Sequence, residues 1–322
     1  MSRIWLIIPT VVGIAAAGGQ SMAQDWPAKS IRAIVPFTPG SQTDIVARAL
    51  FEQLAVNLGQ PIVAENRTGA GGTIAAGVVA KSERDGYTVL VHSSALTIAP
   101  SLYPNMPYDT ARDLAPVIPI GNSPNVLVVA SSRGIKTAHD LVAAAKAKPG
   151  SFNFSSAGIG TATHLSAERF RASAGLDAVH IPFKGGPEAI NEVIAGRVDF
   201  FFGPVGLVLA HIRGGNLLAL AVNSPKRASA LPDVPTTVEA GFADSEYPIW
   251  WGLFVPAGTP REVIAKLHKE TLRTLQTPKM QERLAVLGVE PMEMTRSEFE
   301  AYVKQELHLS AALLERIGLK TN

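Results

Sequence analysis

The chain has 322 residues, 47% of them apolar, and a formal net charge of +2. That length accommodates two domains, and the near-neutral balance without a basic tract gives no footprint for nucleic acid. Cysteine is absent, which excludes disulfides, thiol catalysis, cysteine-ligated zinc and a lipid-modified cysteine.

The first 23 residues read as a secretory leader. Arg3 is a short positive region, residues 4–17 are apolar, and Ser21-Met22-Ala23 places small residues before a cut after Ala23. The apolar run is shorter than the roughly 20 residues a membrane span needs. Cleavage would leave an exported, periplasmic chain starting at Gln24.

From there strand and helix patterns alternate. The apolar run 31–37 predicts a strand that breaks into Thr38-Pro39-Gly40-Ser41. Val46, Leu50, Leu54 and Leu58 then recur at helical spacing and predict a helix over 43–58. A short strand at 62–64 leads through glycine-rich ENRTGAGG to a helix at 74–81. Strands are predicted at 87–92, 126–130, 152–155, 178–181, 198–202, 217–222 and 249–255. Helices are predicted at 138–147, 164–173, 187–195, 260–274, 279–287 and 297–317. Thr137 with Asp140 forms a capping-box pattern, and Pro149-Gly150 stops the helix that follows it. The proline-rich stretches 116–124 and 231–248 read as crossings between domains. Alternation of this kind predicts an α/β fold with two mainly parallel sheets.

Two loops share one design. Residues 37–44, Phe37-Thr38-Pro39-Gly40-Ser41-Gln42-Thr43-Asp44, leave a strand and open a helix; residues 155–164, ending in His164, do the same in the second half. Both combine glycine, hydroxyl side chains and the unpaired first amides of a helix. That combination receives carboxylate or phosphate readily. Each loop taken singly also reads as an ordinary cap: Ser41 with Asp44 forms a capping box, and Thr161 caps its own helix. Asp44 opposes a second anion unless the contact runs through water or a donor on the ligand. Ser93 and Ser94, at a strand end, line a cleft or form a turn. Lys184 supplies a charge to an anion or stays solvated. His164 orients the second loop or sits satisfied within its helix. The GIGTAT run lacks the third small residue of a dinucleotide fingerprint, since Thr163 stands there. No nucleophile elbow, metal-ligand pair or phosphate-binding P-loop is present, so the sequence carries no signal for catalysis or a cofactor.

Six stretches taken together resemble one family. They are WPAKSIRAIVPFTPGSQTDIVAR, VAENRTGAGGTIAAGVVAKSERDGYTVL, DLVAAAKAKPGSFNFSSAGIGTATHLSAERF, HIPFKGGPEAINEVIAGRVDFFF, LLALAVNSPKRASALPDVPTTVEAG and WWGLFVPAGTP. The chain resembles the Bug-type extracytoplasmic solute receptors of tripartite tricarboxylate transporters. The resemblance implies a two-domain periplasmic-binding-protein fold of type II character, closing like a Venus flytrap on an interdomain cleft. It implies one domain at 24–124 plus 246–322 and another at 125–245. It also implies a small carboxylate ligand, a di- or tricarboxylate or an aromatic acid, delivered by a monomeric receptor to membrane permease subunits. On this reading the ligand meets Phe37, Thr38, Gly40, Ser41, Gln42, Thr43, Asp44 and Ser93 of the first domain. In the second it meets Ser156, Gly158, Gly160, Thr161, His164, Phe183 and Lys184. No catalytic residue, metal or cofactor is implied. Two departures stand out. Gly40-Ser41 replaces the Gly-Gly of many members. Asp199-Phe200-Phe201-Phe202 also lacks the acidic residue with which amino-acid binders meet an amine, which disfavours an amino-acid ligand. A sensory receptor and an exported α/β enzyme acting on a similar anion remain the alternatives.

Overall fold

The computed structural model describes residues 26–319; the leader expected at 1–23 lies outside the described residues. The chain begins with β1 (Ile31–Val35), α1 (Gln42–Leu58), β2 (Ile62–Asn66), α2 (Thr73–Ala80), β3 (Thr88–Ser93), α3 (Ala95–Leu102), α4 (Thr110–Asp113) and β4 (Leu114–Ser123). A second run follows: β5 (Asn125–Ala130), α5 (Ala138–Lys146), β6 (Phe152–Ser156), α6 (Ala162–Ala174), β7 (Ala178–Pro182), α7 (Gly186–Ile194), β8 (Phe200–Pro204), α8 (Val205–Arg213) and β9 (Leu217–Val222). The chain then returns through β10 (Ile249–Pro256), α9 (Arg261–Leu275), α10 (Pro278–Val286) and α11 (Arg296–Arg316).

The strands form two five-stranded sheets, ordered β2-β1-β3-β10-β4 and β7-β6-β8-β5-β9. Each is the centre of one lobe. The two orders are equivalent: a parallel unit of three strands, a crossing strand from the other run, then an edge strand. The sheets are mixed, which corrects the mainly parallel expectation. β1 and β6 pair parallel with both neighbours, but β10 runs antiparallel to β3 and β4, and β5 antiparallel to β8 and β9. The crossing strands enter from the opposite lobe and so run against their hosts.

Four elements lie outside the predicted set: α3, the short α4, β4 and α8. β4 holds Pro116 and Pro119, yet it forms, because it is the sheet's edge and its missing N–H groups leave no inner partner wanting. The first crossing therefore shrinks to Pro124 between β4 and β5. α3 carries Pro100 within it, and α8 begins directly after Pro204.

Burial follows the helical periodicity. Val46, Leu50, Leu54 and Leu58 of α1 all pack into the first core, with Trp251 and Leu253 of β10. The second lobe buries Phe154, Phe170, Phe200 and Phe202 together, while Phe201 points to the opposite face among Val126 and Val208. A smaller cluster seams the lobes, with Ile98 and Leu102 of α3 against Leu165 of α6 and Leu314 of α11. Where the crossings meet, Asn125 and Asn223 both donate to Ser166 Oγ, at 3.0 and 2.5 Å, and to the Tyr247 carbonyl, at 3.3 and 3.1 Å.

Candidate functional site

The loop after β1 ends in a helix cap. Ser41 holds extended backbone and its Oγ accepts the Asp44 N–H at 3.3 Å. Only half of the expected capping box forms. The Asp44 carboxylate reaches past Ser41 to the Gly40 N–H at 3.0 Å, and also accepts from Arg48 Nε at 2.9 Å and Asn66 Nδ2 at 2.8 Å. Its charge is thus committed inside its own lobe. The objection that Asp44 repels a nearby anion loses most of its force, because Arg48 neutralises it. Trp251 Nε1 donates to Thr43 Oγ1 at 2.9 Å and ties the same turn to the core.

The loop after β6 is built alike. Thr161 caps α6, its Oγ1 donating to the Gly158 carbonyl at 2.7 Å and accepting the His164 N–H at 3.4 Å. Thr163 Oγ1 accepts the Ala157 N–H at 2.9 Å. Gly158 and Gly160, at φ +125° and +79°, take the left-handed turns that bring the chain round.

These two helix starts meet. A cavity of about 30 Å³ lies between the lobes, lined by Phe37, Ser41, Gln42, Thr43 and Ser93 from the first and by Ala157, Thr161, Ala162 and Thr163 from the second. The N–H groups of Gln42, Thr43, Ala162 and Thr163 are the free amides of the two first turns. Among the described residues none of them has a protein acceptor. Ser93 Oγ is buried and also without a partner among the described residues. No lysine or arginine lines the cavity. Four amides and a hydroxyl thus converge as donors, with positive dipole ends behind the amides.

The lobes touch around this cavity. Thr38 Oγ1 donates to Glu188 Oε2 at 3.2 Å, and Tyr103 Oη reaches the Ile159 carbonyl at 3.4 Å. Gln42 Nε2 donates to the Leu287 carbonyl at 3.0 Å, and both sit against Gly206 of α8.

Residues 46–319 match the family described as "Tripartite tricarboxylate transporter family receptor". The chain belongs to this family. Protein BugT of Bordetella pertussis is 35% identical over 322 residues, covering 99% of each chain. The solved periplasmic binding protein BugD shares 33% identity at a TM-score of 0.89, covering 92% of this chain and all (100%) of its own. The R. palustris protein Rpa4515, solved with adipate, shares 30% identity at a TM-score of 0.89, with coverage of 92% and 100%. MatC from Rhodopseudomonas palustris, solved with bound malate, shares 29% identity at a TM-score of 0.85, with coverage of 90% and 100%. This is a family of solute-binding receptors.

Of the residues expected to meet ligand, Phe37, Ser41, Gln42, Thr43, Ser93 and Thr161 line the receptor's cavity. The others stand apart from its wall. Thr38 bridges to the opposite lobe, Gly40 and Asp44 brace the first turn, and Lys184 is exposed. Phe183 is half-buried against the second-lobe core. Ser156 lies behind the loop, bonded to the Gly158 N–H and to His180 Nε2 at 2.7 Å. His164 is buried, its Nδ1 accepting the Gly160 N–H at 3.2 Å while its ring stacks on His180 with centroids 3.9 Å apart. It props the loop from within. Burial, followed by the neighbouring His164, lowers the His180 pKa to about 3, so the His180 ring is neutral near pH 7. Phe201 and Phe202, on the strand beside this loop, are fully buried in the second-lobe core.

The receptor's cavity also has walls that the sequence reading missed: Gly186, Pro204, Leu207 and Ile249. Pro204 ends β8, and Leu207 comes from the first turn of α8, which was not anticipated. Ile249 opens the crossing strand β10. Thr163, two residues beyond the Thr161 cap, was open to notice, since the second amide of a first turn is always free.

Proposed function

We propose that the protein captures a small carboxylate between its two lobes and delivers it to a tripartite tricarboxylate-type permease. The observation that carries this reading is the convergence of four free first-turn amides, two from each lobe, on one cavity. Each helix start contributes about half a positive charge. Together they offset about one carboxylate without any cationic side chain. Phe37, Pro204, Leu207 and Ile249 supply apolar wall for the carbon skeleton. The adipate and malate carried by two relatives have this chemistry.

The cavity is far smaller than the roughly 300 Å³ at which small-molecule pockets begin. Ligand admission therefore requires the lobes to separate, and capture is their closure. The division into residues 24–124 plus 246–322 and 125–245 is supported by where the chain changes sheet, at Pro124 and ahead of Ile249. Export through the leader would place the receptor in the periplasm. Ser156, Gly158, Gly160 and His164 act by holding the second loop, and Gly40 and Asp44 by holding the first.

The test is a thermal-shift screen of protein unfolded and refolded to strip carried-over ligand. It compares aliphatic dicarboxylates, aromatic acids, amino acids and uncharged amides. A true ligand at 100 times its dissociation constant stabilises by about 2.7 kcal/mol. Shifts confined to carboxylates, weakened in Ser41→Ala and Thr161→Ala, support the reading. A folded protein that responds to no carboxylate refutes it. Loss of uptake of the same acid on deleting the gene tests delivery.

A further inference from the structure

A cavity of about 500 Å³ lies within the first lobe and shares no lining residue with the cleft. It sits between α9 and α11, bordered by the edge strand β4. Sites for small molecules usually fall between about 300 and 1,000 Å³. We infer that this cavity binds a small organic anion, an apolar body carrying one oxyanion head, and that it does so independently of the cleft.

The body is argued from the walls. Leu114 of β4, Phe254 of β10, Ile264 of α9, and Val303 and Leu307 of α11 all line the cavity. Leu307 is half-buried and the other four are buried. Four elements of one lobe therefore supply an apolar floor, against which an alkyl or aromatic body is removed from water.

The head is argued from the charges and where each is spent. Arg112, Arg261, Arg296 and Lys304 line the cavity against one acid, Glu300. Lys304 donates to Glu300 at 2.8 Å, so that pair cancels. Arg112 is taken by Asp113, which accepts from its Nε at 2.7 Å and its Nη2 at 2.8 Å. Arg261 and Arg296 have no ion-pair partner among the described residues. Glu262 follows Arg261 in sequence but does not line the cavity. Two positive charges thus remain on the wall and no negative one. Arg296 is half-buried and commits only its Nε, to the Pro116 carbonyl at 3.4 Å. Its terminal nitrogens stay open for a carboxylate, phosphate or sulfonate.

A hydroxyl is also left over. Thr110 lines the cavity, and its buried Oγ1 has no hydrogen-bond partner among the described residues; nor has the Tyr108 hydroxyl. A bond between these two would still leave one O–H unspent. Buried hydroxyls rarely stay unsatisfied, and a ligand oxygen would satisfy this one. The start of α9 borders the same space, with Pro260 as its cap and no side-chain acceptor there, so its positive dipole end adds to the arginines. Every wall belongs to the first lobe, so lobe motion leaves them together.

The probe is anilinonaphthalene sulfonate, a fluorescent aromatic anion, titrated into the purified, folded protein. The expected result is saturable single-site binding with the same affinity in Thr161→Ala. Arg296→Met keeps the apolar stem and removes the charge, and should weaken binding by about tenfold or more. Ala257→Trp fills the cavity from a half-buried turn on its wall and should do the same. Arg261→Glu reverses an exposed charge, should weaken binding by about fivefold, and keeps the test sound if the other two misfold. Absent or unsaturable binding overturns the site. Binding that folded Arg296→Met and Arg261→Glu both leave unchanged overturns the anion assignment. Binding that Ala257→Trp leaves unchanged puts the probe outside the cavity and overturns the site. An affinity that falls in Thr161→Ala puts the probe in the cleft, or couples it to the cleft, and overturns the independence.

Discussion

Closure can be blocked at a residue that does not itself line the cavity between the lobes. Gly206 is the second residue of α8 in one lobe, and a methyl group there would lie less than 3.0 Å from the Leu287 carbonyl oxygen of the other. It would also stand 2.7 Å from Gln42 Nε2, which donates to that carbonyl. A backbone oxygen cannot rotate aside, so in Gly206→Ala the lobes have to back away from each other. Overpacking of this kind costs about 1–3 kcal/mol, or roughly a 5- to 150-fold loss of affinity. The ligand-free protein should not suffer. Alanine favours the helix over glycine by up to about 1 kcal/mol, and the clash is absent when the lobes are apart. The assay pairs calorimetric titration with the acid found in the screen against thermal unfolding without ligand. The signature is weaker binding with equal or higher stability. A folded Gly206→Ala protein that binds within about twofold of the parent would refute the reasoning, because Gly206 and Leu287 would then not meet in the bound form.

Three further outcomes are expected. Ser166→Ala removes the hydroxyl that receives both Asn125 and Asn223 where the crossings meet, and should lower stability by about 1–3 kcal/mol in a thermal melt. Asp44→Asn sets an amide against three donors, the Gly40 N–H, Arg48 and Asn66, and should cost about 2–3 kcal/mol in denaturant titration with an unchanged m-value. His92 is wholly buried, and burial lowers its pKa from 6.5 to about 4. Its contribution is full above pH 6.5, where the ring is neutral in both folded and unfolded chains. It is lost as pH falls toward 4, by about 3 kcal/mol in all. Stability measured between pH 7 and 4 should decline accordingly, and His92→Gln should flatten part of that decline.

Much of this architecture is written locally. The fourfold spacing of Val46, Leu50, Leu54 and Leu58 defines α1, and Thr137 with Asp140 forms the reciprocal capping box its spacing announces. What stayed hidden depends on neighbours distant in sequence. Prolines 116 and 119 argue against a strand until β4 is known to be an edge. The antiparallel entry of β5 and β10 is invisible because a strand buried on both faces reads the same in either direction. The site divides in the same way. Glycine and hydroxyl composition points to both loops, and Arg48 stands within helical reach of Asp44. That Asn66 of β2 completes the cage around Asp44 is a tertiary fact. So is the wall made by Pro204, Leu207 and Ile249, since they come from the end of β8, a helix that no periodicity announced, and the start of β10.

The equivalence of the two sheets bears on why the proposed cleft uses backbone rather than arginine. Each lobe offers the same unit, a parallel strand, a capped loop and a helix start, and the capped turns are held by Trp251 and Arg48 on one side and by His164 on the other. An N–H pair fixed in this way loses no side-chain freedom on binding and does not titrate. Half a charge from one lobe holds a carboxylate poorly in water, while two halves facing each other hold it well. Affinity is then a property of the closed form, not of either lobe. A membrane partner that reads shape alone would therefore distinguish loaded receptor from empty. It follows that Gly206→Ala should impair uptake more than binding alone accounts for. Receptor saturated with ligand at high concentration would still not present the fully closed face.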